Sequence, residues 1–313
     1  MKFDIYNFER RLALTEARIR KSTMPKISKN EIMNFETHCF AGGLGIIRVE
    51  KYISMLKTLG EMLPQPLSEA DKQDLTLLVS RIERSSWSAW TKHDYKITVK
   101  KFYSYLGKQN MISWIKAGRN HSCKLPEELL TPADVEEMLA VSGPDLAFIE
   151  VLWESGARIG EILSLQVKNC VFDSIGVKLI VSGKTGMRRI RLIESAPGLD
   201  EYIAGRSPEE RVFNFNHGAA RMKIKRIAKR AGIRKRVYAH LFRHSRATYL
   251  APFMTEAQLC VYLGWVIGSG MPRVYIHLSC DDLDETLIKL PSLRNAVHIP
   301  SKDVYSISEG IKC

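Results

Sequence analysis

The sequence has few cysteines, and none of them are spaced for metal binding. Six cysteines are scattered over 313 residues, without a C-x-x-C pair or the mixed His and Cys spacing that is typical of zinc sites. A phosphate-binding P-loop and a clustered acidic metal site are also missing. We therefore expect reduced, mostly structural thiols, no metal and no cofactor.

Long apolar runs are missing as well. The chain begins MKFDIYNFERRLALTEARIRK, which alternates charges where a signal peptide needs an uninterrupted apolar core. No later stretch is apolar for long enough to span a bilayer. The sequence therefore predicts a cytoplasmic protein without a membrane partner.

Acidic residues are fewer than basic ones. The chain has 47 Lys and Arg against 34 Asp and Glu, a formal net charge of +13, which favours a phosphate-rich partner over a merely basic cytoplasmic protein. Residues 221–246 contain eleven Lys or Arg and no acid, and so one-sided a run is typical of a surface that follows a nucleic-acid backbone. The candidate DNA-binding residues in this block are Lys223, Lys225, Arg226, Arg230, Arg234 and Arg236.

The first third of the sequence has the periodicity of helices and no alternation typical of strands. One apolar stripe in its last helix is flanked by Lys92, Lys96 and Lys100, which either contact DNA or form an ordinary solvated face. The predicted helices, separated by Gly and Pro, are Phe8–Arg20, Lys29–Phe40, Arg48–Met62, Glu69–Arg84 and Ala89–Leu106.

The second part of the sequence begins with a helix whose start is marked by Thr131 as N-cap, Pro132 and a capping-box Asp134. A second helix is predicted over residues 146–165. The pattern then alternates with a period of two over 167–172, 177–181 and 189–193, which predicts three antiparallel strands joined by tight turns.

Helices resume after the strands, with breaks at Gly232 and from Gly264 to Pro272, and a last acidic helix is predicted over Asp281–Leu290. The fold class is therefore mainly α with a small antiparallel sheet. We predict a helical, SAM-like core DNA-binding domain over residues 1–120, a linker over 121–128 and a catalytic domain with a C-terminal helix and tail over 129–313.

Several motifs that could bind one phosphate follow one another in the second domain. His240 and Arg243 in HLFRH are three residues apart and share a helix face, although a capping histidine beside a surface arginine would give the same pattern. Arg158 precedes Glu161 in GARIGEIL, where a structural ion pair is the plainer interpretation. The other motifs place Lys184 in SGKTG, Trp265 in LGW and Tyr275 in RVYIHLS.

The segments ARIGEILSL, SGK, AHLFRHSRAT, LGW and RVYIHLS, taken in this order, resemble the tyrosine recombinases, the family of phage integrases and Xer-like enzymes. The resemblance extends over residues 126–280 and is closest to archaeal Xer-like or integrase members. It implies that the helical domain before it is the family's core-binding domain.

The resemblance implies a role for each matched residue. Tyr275 would be the nucleophile that forms a 3′-phosphotyrosyl bond, and Lys184 would protonate the departing 5′ oxygen. Arg158 and Arg243 can grip the phosphate with planar forks, while His240 either accepts a proton or orients the phosphate. Trp265 can only donate a hydrogen bond, so it would support the phosphate, and Glu161 would hold Arg158 in place.

The implied partner is a double-stranded DNA recombination site, on which the protein is expected to assemble as a tetramer. A nucleoid-associated location is therefore expected. The two domains are expected to form a clamp around the DNA. A topoisomerase-like nicking-closing enzyme and a non-catalytic DNA-binding regulator are the alternatives. Three other tyrosines, Tyr238, Tyr249 and Tyr262, lie at helical core spacings and are expected to be packed rather than nucleophilic.

Overall fold

The computed structural model describes residues 4–118, 128–183 and 186–276. The chain divides into two units, one of residues 1–124 with 214–220 and one of residues 125–213 with 221–313. Most of the expected linker, the turn lysine Lys184 and the expected helix over Asp281–Leu290 lie outside the described residues.

The first unit is helical over its described residues, as the sequence predicts. Its core is lined by large apolar side chains such as Phe35, Ile53 and Phe102, each fully buried. The helices are α1 (Phe8–Lys21), α2 (Lys26–Ala41), α3 (Ile46–Glu61), α4 (Lys72–Arg84) and α5 (Ala89–Tyr105).

The predicted fourth helix begins too early. The chain forms a separate 3₁₀ turn over Leu67–Glu69, and α4 begins after Asp71. The Asp71 carboxylate accepts the backbone N–H of Asp74, and the Asp74 carboxylate accepts the N–H of Asp71. This reciprocal cap satisfies two N–H groups at the helix start and fixes the boundary there.

The second unit combines helices with one sheet. The mainly helical fold with a small sheet that the sequence predicts is therefore confirmed. Its elements are α6 (Pro132–Ala140), α7 (Leu146–Ser155), α8 (Ile159–Leu163), β1 (Cys170–Asp173), β2 (Gly176–Gly183), β3 (Gly186–Leu192), α9 (Ala196–Ile203), α10 (His217–Arg230, from residue 221 onward), α11 (Ala239–Leu250), α12 (Glu256–Leu263) and α13 (Met271–Ile276).

The three strands form an antiparallel sheet in the order β1-β2-β3. Asp173 pairs with Gly176, so β1 and β2 are joined by the tight two-residue turn that the sequence predicts. Gly183 pairs with Gly186, and the two residues between them lie outside the described residues. Alternate residues of β2, from Val177 to Val181, are buried. The expected first strand is too long at its start, because residues 167–169 form a 3₁₀ turn.

The predicted helix over residues 146–165 is wrong, because the chain breaks in its middle. Gly156 adopts a left-handed conformation, φ 53° and ψ 18°, and ends α7, a conformation that glycine reaches without steric cost. Arg158 is then the N-cap of the short α8. By contrast, Thr131 caps α6 with Asp134 as the sequence predicts.

Within the described ranges, no helix is long and apolar enough to cross a membrane.

Candidate active site

The break after Gly156 places the first candidate arginine. Because Arg158 caps α8, its backbone N–H donates to Glu161 Oε2 at 2.9 Å, and its Nη1 donates to Glu161 Oε1 at 3.0 Å. Its Nη2 donates to the carbonyl oxygen of Gly264, 3.3 Å away. Glu161 thus holds Arg158 next to the loop that follows α12.

Arg188 on β3 is a further member of this cluster that the sequence reasoning missed. Its Nη1 and Nη2 donate to the two oxygens of Glu161 at 2.7 and 2.9 Å, and its Nε donates to the Tyr262 carbonyl. Burial by itself would raise the pKa of the Glu161 carboxyl. The hydrogen bonds and positive charge of Arg188, together with the hydrogen bonds from Arg158, have the larger effect, so the pKa of Glu161 is lowered. Glu161 is therefore an ionised bridge between α8 and the sheet.

Arg243 on α11 is held by backbone carbonyl groups. It is 2% exposed, and it donates to the carbonyl oxygens of Gly156 at 2.9 Å and Leu263 at 2.5 Å. Burial, followed by the positive charges of Arg158 and Arg188, lowers its pKa to about 10. The guanidinium therefore remains charged at neutral pH.

Five of the six candidate catalytic residues line one pocket of about 320 Å³. The sixth, Lys184, is outside the described residues. The pocket also contains Ser269, whose buried hydroxyl oxygen has no hydrogen-bond partner among the described residues. The five are Arg158, His240, Arg243, Trp265 and Tyr275.

Tyr275 on α13 is 2% exposed and is held from two sides. Its ring stacks on Trp265, with centroids 5.1 Å apart and planes 13° from parallel. Its hydroxyl lies 2.7 Å from Nδ1 of His244. Burial raises the pKa of Tyr275 to about 12, even though the charge of Arg243 acts to lower it.

His244 was not singled out from the sequence. The acceptor suggested there was His240, which lines the pocket, whereas the hydroxyl of Tyr275 contacts His244. The sequence did contain a signal for His244, because residues four apart share a helix face. In the structure the rings of His240 and His244 lie 4.5 Å apart.

None of the other three tyrosines lines this pocket. Tyr262 is packed, and its hydroxyl donates to the Glu154 carbonyl. Tyr238 is half-buried and lies in a different pocket. The expectation that Tyr249 is packed is wrong, because its side chain is 43% exposed beside Trp153.

The basic block forms a second pocket, of about 610 Å³, in the same unit. Two residues expected to bind DNA, Lys225 and Arg236, line it, and four others do not: Lys223, Arg226, Arg230 and Arg234. Lys223 forms an ion pair with Asp145, and the other three are exposed. The cationic residues lining the pocket are Arg221, Lys225, Lys229, Lys235 and Arg236.

The three candidate lysines on α5 have contacts within the first unit. Lys96 forms an ion pair with Glu83 at 2.6 Å. Lys92 donates to the Glu83 carbonyl, and Lys100 donates to the carbonyl of Ile115. These lysines would have to leave those partners to contact DNA.

In residues 4–118, 128–183 and 186–276, no group of three or more His, Cys, Asp or Glu is placed to hold a metal ion.

The model of the phage integrase family matches residues 128–280. Tyrosine recombinase XerC of Xanthomonas axonopodis pv. citri (strain 306) is 27% identical over 240 residues, which are 71% of this chain and 78% of that protein. Tyrosine recombinase XerA of Saccharolobus solfataricus (strain ATCC 35092 / DSM 1617 / JCM 11322 / P2) is 28% identical over 153 residues, or 47% of this chain and 50% of XerA.

Two solved structures share the fold. XerH site-specific recombinase bound to palindromic difH substrate, a post-cleavage complex, has a TM-score of 0.63 at 20% identity and covers 92% of this chain and 97% of XerH. A lambda integrase dimer bound to a COC′ core site has a TM-score of 0.65 at 16% identity, with coverage of 79% and 76%.

The fold is therefore that of the lambda-integrase-like tyrosine recombinases. Residues 128–280 are thus similar in sequence to the phage integrase family.

Proposed function

We propose that the protein is a site-specific DNA recombinase that cuts and rejoins DNA strands through a covalent bond between Tyr275 and a backbone phosphate. The observation that carries the proposal is the convergence of two arginines, a histidine, a tryptophan and this tyrosine on one pocket. The pocket has the residues needed to bind a phosphodiester and to attack it.

The two arginines would bind the phosphate. Guanidinium groups are planar and permanently charged, and they can donate two hydrogen bonds to the non-bridging oxygens. Arg158 and Arg243 are fixed by other parts of the protein, through Glu161 and through main-chain carbonyls. Donors fixed in advance stabilise the charge that grows on the oxygens in the transition state.

Tyr275 would supply the nucleophilic oxygen. As its oxygen bonds to phosphorus, the bond to the 5′ oxygen of the next nucleotide breaks, and Lys184 is assigned to protonate that oxygen because of the family resemblance. The phosphotyrosyl bond keeps the phosphoester energy, so a 5′ hydroxyl can reverse the step. The reaction as proposed needs neither a nucleotide nor a metal.

The basic pocket would hold the DNA backbone. Each phosphate contact made by a Lys or Arg steepens the fall of affinity with salt, with a slope of about −0.9 per contact on logarithmic axes for duplex DNA. Lys229→Ala should therefore weaken binding without changing the preferred sequence and make the salt slope shallower by about 1. The lysines on α5 are assigned to the same duplex, and a tetramer on DNA is the proposed assembly.

The test is covalent trapping on a suicide substrate. A pool of nicked duplexes of randomised sequence is incubated with the protein and a chelator, and DNA in the protein adduct is sequenced to define a substrate. On that substrate the wild-type protein should give a slow band on a denaturing gel. Tyr275→Phe should bind but give no band, because it lacks only the attacking oxygen.

Tyr249→Phe is the matched control, since this tyrosine is exposed and lies outside the pocket; it should react like the wild type. An adduct that persists in Tyr275→Phe would mean that another residue is the nucleophile. Relaxation of supercoiled DNA without any preferred site would point to a topoisomerase instead.

A further inference from the structure

The Tyr275 hydroxyl has its own partner outside the group of residues that line the phosphate pocket. His240 lines the pocket, whereas His244, one helical turn later on α11, places Nδ1 2.7 Å from the Tyr275 oxygen. Trp265 stacks against the tyrosine ring. The hydroxyl is thus positioned by a histidine and the ring by an indole.

A buried phenol needs a proton acceptor before it can attack. Burial keeps the pKa of Tyr275 near 12, and the neighbouring charge of Arg243 does not cancel that effect. The hydroxyl is therefore protonated at neutral pH, and its proton must leave as the bond to phosphorus forms. An acceptor has to be within hydrogen-bond distance of the oxygen, and His244 meets that requirement.

We infer, on the basis of the proposed function, that His244 is a catalytic residue that takes the proton of Tyr275 during strand cleavage and returns it during rejoining. In its neutral form with the proton on Nε2, the imidazole can accept at Nδ1. The two histidines then have separate tasks, with His240 facing the phosphate and His244 facing the phenol.

The proton balance of the step is complete. The Tyr275 oxygen forms its bond to phosphorus, its proton moves to Nδ1 of His244, and the 5′ oxygen departs with the electrons of its bond to phosphorus and takes a proton from the acid on its own side. In rejoining, the 5′ hydroxyl attacks phosphorus, and His244 returns its proton to the departing Tyr275 oxygen.

The test uses two variants of the full-length protein on the suicide substrate. His244→Asn keeps a hydrogen-bond acceptor near the position of Nδ1 but cannot take up a proton, and His244→Phe keeps a ring without an acceptor. At saturating protein, the first-order rate of adduct formation should fall by about 100-fold or more in both, the lower end of the range for acid–base catalysis. Binding to the DNA and thermal unfolding should be unchanged in at least the Asn variant.

A second measurement separates proton transfer from a structural role. Replacing Tyr275 with a fluorinated tyrosine, whose phenol is more acidic, reduces the need for an acceptor. With the fluorinated tyrosine in both proteins, the rate of adduct formation in the protein with His244 should exceed that in His244→Asn by a severalfold smaller factor than with ordinary tyrosine. A merely structural defect would leave that ratio unchanged and would overturn the inference.

Two other outcomes also overturn it. An unchanged cleavage rate in His244→Asn would mean that the proton leaves by another route, and a faster rate would make His244 a restraint on Tyr275. Failure of the proposed function looks different, because Tyr275→Phe would then still form the adduct.

Discussion

Replacing Glu161 with alanine removes the carboxylate that joins α8 to the sheet. Glu161 is 3% exposed and accepts two hydrogen bonds from Arg188 and two from Arg158. The side chain of Arg188 is only 9% exposed, whereas that of Arg158 is 31% exposed. Without the carboxylate, Arg188 would be a buried charge without its partner, and Arg158 could turn toward water.

The expected cost follows from the burial of Arg188. Removing one member of a buried ion pair costs about 3–5 kcal/mol, because the other charge stays desolvated. For a unit of this size, each kcal/mol lowers the unfolding temperature by about 2–4 °C. Glu161→Ala should therefore lower the melting temperature of the second unit by about 6–20 °C, and it should slow adduct formation because Arg158 loses its fixed position.

Circular dichroism or calorimetry measures the melting temperature, and Glu137→Ala, an exposed acid of the same unit, is the control. Arg188→Ala and the double variant complete a cycle. Residues in contact couple by about 0.5–3 kcal/mol, whereas independent ones add within about 0.5 kcal/mol. Additive effects, or a loss below about 1 kcal/mol for Glu161→Ala, would refute the reasoning.

Three further variants test other contacts. Arg243→Lys should abolish adduct formation while leaving DNA binding measurable, because one ammonium cannot reach two carbonyls and keep a fork for the phosphate; a reactive lysine variant in the trapping assay would contradict this. Gly183→Ala should lower the melting temperature, since a Cβ there would lie 2.2 Å from a Glu161 oxygen; an unchanged melt would argue against that tight approach.

The third variant lies in the first unit. Burial, then the charge of Glu16, raises the pKa of the Glu36 carboxyl to about 7. A raised folded-state pKa contributes stability at low pH that is lost as pH rises through 7. Glu36→Gln should therefore raise the melting temperature at pH 8 and change it little near pH 5. An equal rise in melting temperature at both pH values would contradict the raised pKa of Glu36.

Local signals in the sequence predicted local structure well. Thr131 and Asp134 cap α6 as expected, since a capping box depends only on residues three apart. The break at Gly156 was missed because the apolar pattern runs through it, while a left-handed glycine is fixed by the packing around it. Glycine is favoured there, because φ is positive and a Cβ would come within 3.0 Å of the Leu263 side chain.

Contacts between distant segments explain the other omissions. Arg188 follows Glu161 by 27 residues, and the strand register decides which of two adjacent arginines, Arg188 or Arg189, faces that carboxylate. His244 and Tyr275 are 31 residues apart. The motifs named five of the residues that line the pocket, but only the fold pairs the tyrosine with one of two histidines.

The carbonyl groups that hold Arg243 have a consequence for the charge of the pocket. A carbonyl oxygen fixes a guanidinium without cancelling its charge. Among the described residues the arginine cluster has three guanidinium groups, on Arg158, Arg188 and Arg243, and one carboxylate, on Glu161, which leaves two positive charges. A DNA phosphodiester carries one negative charge, and the five-coordinate phosphorus formed during attack carries two. In the proposed reaction these two positive charges would match the charge of the transition state and exceed that of intact DNA. The cluster would therefore bind the transition state more strongly than the substrate, which raises the rate.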